Sequence, residues 1–196
     1  LRAASDYYWH KGANGLYVFN LFDQRDLRNA PFSQDYIYQP MSEIGDPATL
    51  AGKNKLYAIQ PSSDRGFCHQ GSEKAPLPIA LDQSEHLLPL EIGLDATSSQ
   101  AKFTIRAWTT GGKKDDRVWF RLNNRLLETC CEGQWYEALV PHGILRSGSN
   151  HLSIFCSRRG AGSRRLDPDH PEVYYGLSEE TSPIIVHRVF VPVSYT

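Results

Sequence analysis

The sequence predicts a mainly β protein in which most of the chain forms an antiparallel β-sandwich. Three observations predict it. In residues 117–122, Val118 and Phe120 alternate with Trp119 and Arg121, so the two sets face opposite sides of a strand. This period of two is typical of a half-buried strand. Asn123 and Asn124 follow, and this dipeptide accepts the positive φ angles of a tight hairpin. Four candidate strands then lie within roughly forty residues, a spacing typical of sandwiches.

The N-terminal segment has a different pattern. A helix is predicted over Leu1–Lys11, and Gly12 supplies a C-terminal stop. Leu16–Phe22 comes next as a near-continuous apolar run, the pattern of a strand that is buried on both faces. Such a strand needs helices on its faces and further strands at its edges. The first sixty residues do not supply them in full, so the rest of that sheet is expected to be missing from this chain.

A short helix is predicted after this segment, because Asp46 can cap it and Pro47 suits its first position. From Gln60 to Pro78 the composition shifts to proline, serine, glycine and charged residues, which is typical of a connection between packed units. We place the boundary near Pro61. The predicted units are an α/β segment over residues 1–60 and a β-sandwich over residues 61–196.

Seven segments beyond the boundary have the length and residue content of strands. They are Leu87–Ile92, Ala101–Trp108, Arg117–Leu122, Arg125–Thr129, Trp135–Val140, His151–Ser157 and Pro183–Val193. Pro141 should end one of them because proline cannot donate to the hydrogen-bond ladder. His187 and Arg188 are expected near a bend or bulge in the last.

Composition excludes several classes of function. The formal net charge of -1 gives no long-range field for nucleic acid or an anionic membrane. No apolar run is long enough for a membrane helix, so the chain is expected to be soluble. The four cysteines lack C-x-x-C spacing, which argues against a zinc site and favours reduced structural thiols, although Cys156 could pair with Cys130 or Cys131. No cofactor or metal is predicted.

Several N-terminal residues resemble the closing segment of a TIM-barrel family related to glycoside hydrolases. They are the helix Leu1–Lys11, the turn Gly12–Gly15 and the strand Leu16–Asn20, and the later segments Glu43–Pro47 and Lys53–Tyr57 are similar to the region after that strand in bacterial members. The pattern from Trp135 to Ile154 resembles the galactose-binding-like jelly rolls that are appended to many glycosidases. The resemblance implies the end of a (β/α)8 barrel, with a galactose-binding-like sandwich after it.

The same resemblance implies a carbohydrate partner and a site that this chain completes only in part. Glycosidases generally use two carboxylates, which here would lie on earlier barrel strands outside the chain. Asn20, Phe22 and Asp23 would stand at the end of the eighth strand, where barrel active sites collect. In the alternative interpretation, Asn20 and Asp23 cap the next turn. The rest of the barrel, or another chain, would be a partner, and the compartment stays open, with a secreted or periplasmic parent protein as one option.

Tryptophans are the other candidate sugar-binding residues. Trp108, Trp119 and Trp135 could stack on a sugar, although most tryptophans in sandwiches belong to the core. Trp119 is the best candidate because it alternates with Val118 and Phe120 and therefore faces away from the core. An outward tryptophan could equally contact the N-terminal unit.

Three alternatives remain open. One is a purely structural sandwich without a ligand, in which all three tryptophans are buried. Another is a module that binds anionic glycans through the run Arg158–Arg165, although nearby acidic residues can neutralise that run. A third is a complete small enzyme, which would need two carboxylates about 5 to 9 Å apart in a cleft. Asp115 and Asp116 are taken as a solvated hairpin tip and not as a calcium site.

Overall fold

The computed structural model describes residues 1–18, 39–59, 77–82, 84–93, 98–111, 116–156 and 184–195. These residues form a mainly β structure with two antiparallel sheets, as the sequence predicts. The helical elements are α1 (Arg2–His10), a 3-10 turn (Gln39–Ser42) and α2 (Pro47–Leu50). The strands are β1 (Lys55–Ile59), β2 (Ile79–Leu81), β3 (His86–Ile92), β4 (Ala101–Thr110), β5 (Val118–Leu122), β6 (Arg125–Leu127), β7 (Cys130–Glu132), β8 (Trp135–Val140), β9 (Gly148–Cys156) and β10 (Ile184–Tyr195).

The two sheets share one hydrophobic core. The six-stranded sheet has the order β1-β10-β4-β8-β7, with β2 also paired to β10, and the four-stranded sheet has the order β3-β9-β5-β6. Burial alternates along β4 and β5, so that every second side chain enters the core. Ile105 and Val186 of the larger sheet and Phe120 and Ile154 of the smaller one are fully covered in that core. Each sheet therefore has one inner face and one outer face.

The seven strands that the sequence predicts are all present, with ends that differ by a few residues. Three further strands, β1, β2 and β7, are not predicted from the sequence. β2 and β7 are too short to show a period, and β1 begins with a lysine that faces inward, which hides its alternation. Lys55 is buried, and its Nζ donates to the Leu50 carbonyl oxygen at 2.6 Å. A lysine can take such a core-facing position when its ammonium group has partners.

The local signals at turns and helix ends are confirmed. Asn123 and Asn124 have φ values of 47° and 69° and close the hairpin between β5 and β6. The Asp46 side chain accepts from the Ala48 amide at 2.8 Å and caps α2. β8 ends at Val140, directly before Pro141. A register shift between Val186 and Arg188 confirms the predicted bulge in β10.

Helix α1 lies across one side of the sandwich, where β1 and β3 are the outermost strands of their sheets. The Tyr57 hydroxyl donates to the buried carboxylate of Asp6, and the Gly93 amide donates to that hydroxyl at 3.3 Å. A Cβ atom at Gly93 would overlap the Asp6 carboxylate, so only glycine permits this approach. Arg2 and Glu43 form an ion pair, with Nη2 to Oε1 at 3.1 Å, that attaches α1 to the segment before α2. The helix is thus hydrogen-bonded directly to β1, and the Tyr57 hydroxyl extends this network to Gly93, which follows β3.

The division into residues 1–60 and 61–196 stays a prediction. The six-stranded sheet extends across the proposed boundary, because β1 pairs with β10 from Lys55–Val193 to Ile59–Val189. Leu16–Val18 begin the expected barrel strand and are not part of a strand in the structure. The remainder of that strand, from residue 19, lies outside the described residues.

Asn150 fixes the turn that leads into β9. The side chain is buried, and its Oδ1 accepts from the Arg146 amide at 2.9 Å and from Asn123 Nδ2 at 2.8 Å. Its Nδ2 donates to the carbonyl oxygens of Arg146 and Gly148 at 2.8 and 2.9 Å. Gly148 has φ of 87°, which favours glycine. One amide side chain therefore satisfies the turn and joins it to the Asn123 hairpin.

Cys130, Cys131 and Cys156 carry free thiols, and Cys68 lies outside the described residues. In the part of the chain that the structure describes, no helix has the length and apolar content needed to cross a membrane.

Candidate functional site

Two tryptophans stand side by side on the outer face of the six-stranded sheet. Trp108 on β4 and Trp135 on β8 are directly opposite each other in the register, and Arg188 on β10 is opposite Trp108. Glu132 on β7 is opposite Trp135 and completes a row across four strands. We call the outward side chains of this region the tryptophan face, which consists of Arg106, Trp108, Glu132, Trp135, Glu137, His187, Arg188 and Phe190.

The indole ring of Trp108 is held by several contacts. Its Nε1 donates to Gln134 Oε1 at 3.0 Å. The His187 ring lies 5.0 Å from it between centroids, and Arg188 Cζ lies 5.6 Å from the ring centroid. His187 is held in turn by Thr110, with 2.8 Å between Nε2 and Oγ1. Trp108 is half-buried and its orientation is fixed before any ligand arrives.

Trp135 is fixed in a similar way by an ion pair and a second aromatic ring. Arg106 Cζ lies 4.8 Å from its centroid, and the Phe190 ring lies 6.2 Å away at an angle of 34°. Arg106 Nε donates to Glu137 Oε1 at 2.7 Å. The guanidinium group is therefore both stacked and neutralised, while Trp135 remains half-buried.

The bulge in β10 concentrates side chains on this face. Val186 pairs with Thr109 and Arg188 pairs with Trp108, so His187 has no residue of its own opposite it on β4. Because of the extra residue, His187 and Arg188 both lie against Trp108 although they are consecutive. Bulges of this kind redirect side chains and are common beside functional sites.

The outer face of the four-stranded sheet carries Trp119, the sequence-predicted candidate. Trp119 is half-buried and lies directly opposite Phe155 on β9. Arg121 Cζ lies 5.9 Å from the Phe155 centroid, and Arg121 Nε donates to Glu85 Oε1 at 2.7 Å. We call Glu85, Trp119, Arg121 and Phe155 the Trp119 face. The outward orientation expected for Trp119 is confirmed, and a role in sugar binding stays a prediction.

The other predicted site residues are in parts of the chain that the structure leaves out. Asn20, Phe22 and Asp23 lie outside the described residues, as does the run Arg158–Arg165. Trp108 and Trp135 are equal candidates in the sequence, with no preference for either. Their pairing depends on the register between β4 and β8, which the sequence does not reveal.

A shallow groove continues the same side of the molecule. It has a volume of about 250 Å³ and is lined by Lys102, Phe103, Leu139, His142 and Leu145, among others. This is smaller than the roughly 300 to 1,000 Å³ of usual small-molecule pockets. A ligand of this face would therefore bind mainly along the surface.

The chemistry available at the tryptophan face is stacking, hydrogen bonding and charge pairing. Burial, followed by the neighbouring Cys131, raises the pKa of Tyr136 far above its usual range, so the phenol directly behind the face stays neutral. Across the described ranges, no cluster of three histidine, cysteine, aspartate or glutamate side chains could hold a metal ion.

Neither a protein-family model nor a curated protein matches this sequence.

Proposed function

We propose that this chain is a carbohydrate-binding accessory sandwich of a glycoside-hydrolase-like protein and that the tryptophan face contacts the sugar. In this proposal the sandwich is a galactose-binding-like jelly roll, and the N-terminal segment is the end of a barrel completed by the parent protein or by another chain. The catalytic carboxylates belong to that barrel. The observation that carries the sugar-binding proposal is the pairing of Trp108 with Trp135.

A sugar has two kinds of surface. One side of a pyranose ring presents C–H groups, which pack on an aromatic ring, while its hydroxyl groups need donors and acceptors at the rim. Cross-strand neighbours have Cβ atoms about 5 Å apart, so Trp108 and Trp135 form one continuous apolar strip. Arg106, Glu137 and Glu132 supply donors and acceptors beside it. The surface is thus amphipathic in the same sense as a sugar.

A second candidate function is a structural one, in which this face packs against the rest of the parent protein. Leu139 and Leu56, at the end of the sheet remote from Trp108, are 66% and 56% exposed. Exposed apolar side chains can take part in a contact with another domain. The purely structural alternative expects buried tryptophans, whereas Trp108, Trp119 and Trp135 are all half-buried in this chain.

The test is a glycan-array binding assay on the full chain with three single variants. Trp135→Ala and Trp108→Ala each remove one half of the strip, and Trp119→Ala is the matched control because it removes a half-buried tryptophan from the opposite sheet. We expect the first two to abolish binding and the third to retain it. Loss of binding only in Trp119→Ala would move the site to the Trp119 face. No binding by the unmodified chain would favour the structural function.

A further inference from the structure

We propose that the oligosaccharide bound by the tryptophan face is acidic and that Arg188 binds its anionic group; this inference rests on the proposed function above. The first step is the charge of Arg188. Its side chain is exposed and lies over Trp108, and within the described ranges it has no carboxylate partner. Since an arginine keeps its charge at all ordinary pH values, it presents a positive charge at one end of the row.

Among the described residues, two other guanidinium groups lie near aromatic rings, and both are neutralised by a glutamate. Arg106 stacks on Trp135 and is bonded to Glu137 at 2.7 Å. Arg121 lies over Phe155 and is bonded to Glu85 at the same distance. Arg188 has the ring contact without a carboxylate from the described residues. A carboxylate or sulfate of a ligand would fill the position that glutamate fills in the other two cases, and bidentate pairing with a guanidinium suits both groups.

The bulge explains why Arg188 is available there. In a regular strand, His187 and Arg188 would face opposite sides of the sheet. The register shift between Val186 and Arg188 places both on the outer side, at the expense of one ladder pair. His187 packs against the Trp108 ring, and the exposed Arg188 side chain lies over the same ring.

The charges along the row also give the ligand a direction. Arg188 and Glu132 are at opposite ends, separated by three strand spacings or about 14 Å. This exceeds the Debye length of about 8 Å at physiological ionic strength, so Glu132 repels an anion at Arg188 only weakly. Glu137 is neutralised by Arg106. The acidic unit of the ligand therefore lies at the Arg188 end of the row, beside Trp108, and uncharged hydroxyl groups lie towards Trp135 and Glu132.

The experiment uses matched glycan pairs, each an acidic oligosaccharide beside the same oligosaccharide with its carboxyl groups reduced to CH₂OH, together with sulfated analogues. Binding is measured for the unmodified chain, Arg188→Gln and Arg188→Lys. Arg121→Gln is the control because it removes a guanidinium from the opposite face. We expect the chain to prefer the acidic member, and Arg188→Gln to weaken that member by about ten-fold to a hundred-fold while changing the neutral one little. Arg188→Lys should keep part of the preference.

The outcomes separate this inference from the function on which it rests. Neutral oligosaccharides that bind as well as acidic ones, and lose binding in Trp135→Ala, would keep the proposed function and overturn the role of Arg188. An acidic preference that survives Arg188→Gln would also overturn it. Binding to none of the pairs would remove both proposals. Thermal melting of Arg188→Gln should match that of the unmodified chain, because the side chain is exposed.

Discussion

The two outer faces of the sandwich are built from the same kinds of residue and differ in regularity. Each has an aromatic pair across neighbouring strands, Trp108 with Trp135 on one and Trp119 with Phe155 on the other. Each also has an arginine that is stacked on a ring and neutralised by a glutamate. Of the two, the tryptophan face is the one next to a strand whose register shifts, at Val186 to Arg188.

A regular hydrogen-bond ladder and a bulged one place side chains on their outer faces differently. β5 and β9 pair without a shift from Val118–Cys156 to Leu122–Leu152, and this positions Trp119 and Phe155 as a stabilising surface pair. The bulge in β10 adds an extra cation beside Trp108, which stacking in the sheet does not require. We infer that the Trp108–Trp135 pair supplies the stacking surface of the tryptophan face and that the bulge adds the charge that selects an acidic ligand.

The largest expected loss of stability comes from a substitution in the core that the two sheets share. Phe120→Ala removes a fully buried ring from the shared core and should lower the free energy of unfolding by about 3 to 5 kcal/mol. Denaturant titration followed by fluorescence measures it. The neighbouring Trp119→Ala is the control, because Trp119 faces outward and should cost about 1 kcal/mol. Equal costs for the two variants would contradict the assignment of inner and outer faces.

A smaller loss of stability is expected from a substitution at Asn150, which belongs to the four-stranded sheet. Asn150→Ala leaves three backbone groups of Arg146 and Gly148 without their side-chain partner, which should cost about 3 kcal/mol of stability. Ser149→Ala, an exposed neighbour in β9, should change stability by about 0.5 kcal/mol or less. Thermal melting measures both.

The Asn150→Ala variant also tests whether the two outer faces act independently. Below its melting temperature, Asn150→Ala should still bind glycans, since the tryptophan face lies on the other sheet. If glycan affinity falls at temperatures where the variant is fully folded, the two faces are not independent.

Removing one glutamate from each face should change stability little and binding unequally. Both ion pairs are partly exposed, so Glu137→Gln and Glu85→Gln should each cost about 1 kcal/mol or less. Glu137→Gln releases the charge of Arg106 beside Trp135 and should raise affinity for acidic glycans, whereas Glu85→Gln should leave affinity unchanged. Titration calorimetry with an acidic oligosaccharide distinguishes them. A rise with Glu85→Gln would place the ligand on the Trp119 face.

The smallest effect concerns pH at the start of β3, in the sheet of the Trp119 face. The Ser84 backbone amide, followed by His86, holds the pKa of Asp82 below its usual value. A lowered pKa stabilises the folded state above the unfolded value, and this contribution is lost as pH falls through the folded value. Asp82→Asn should therefore be slightly less stable at pH 6, with the gap closing below about pH 4. Melting curves from about pH 6 to about pH 2 measure it, and a constant gap would contradict it.

Local signals are sufficient for most strands and turns of this protein. Alternation locates β4, β5 and β8, and the Asn123–Asn124 hairpin results from the positive φ angles that asparagine accepts. β1 is not predicted from the sequence because Lys55 occupies a core-facing position, where an apolar residue is expected.

The features that the sequence does not predict depend on pairing between strands that are far apart in the chain. β10 lies between β1 and β4, which are distant from it in the sequence, and its register decides which side chains meet on the outer face. The sequence could place His187 and Arg188 at a bulge, but not beside Trp108. Candidate residues could therefore be named singly, while their grouping needed the three-dimensional arrangement.

The position of helix α1 has a consequence for how this sandwich could be moved between proteins. Asp6 of the helix is bonded to Tyr57 of β1, and Tyr57 is bonded in turn to Gly93 after β3. β1 comes after the helix in the chain. A gene fusion that joined the chain at residue 61 would discard both, uncover the core at that side and leave Val189–Val193 as an unpaired edge open to association with a second molecule. A fusion that keeps this core covered and β10 paired must therefore include α1 and β1.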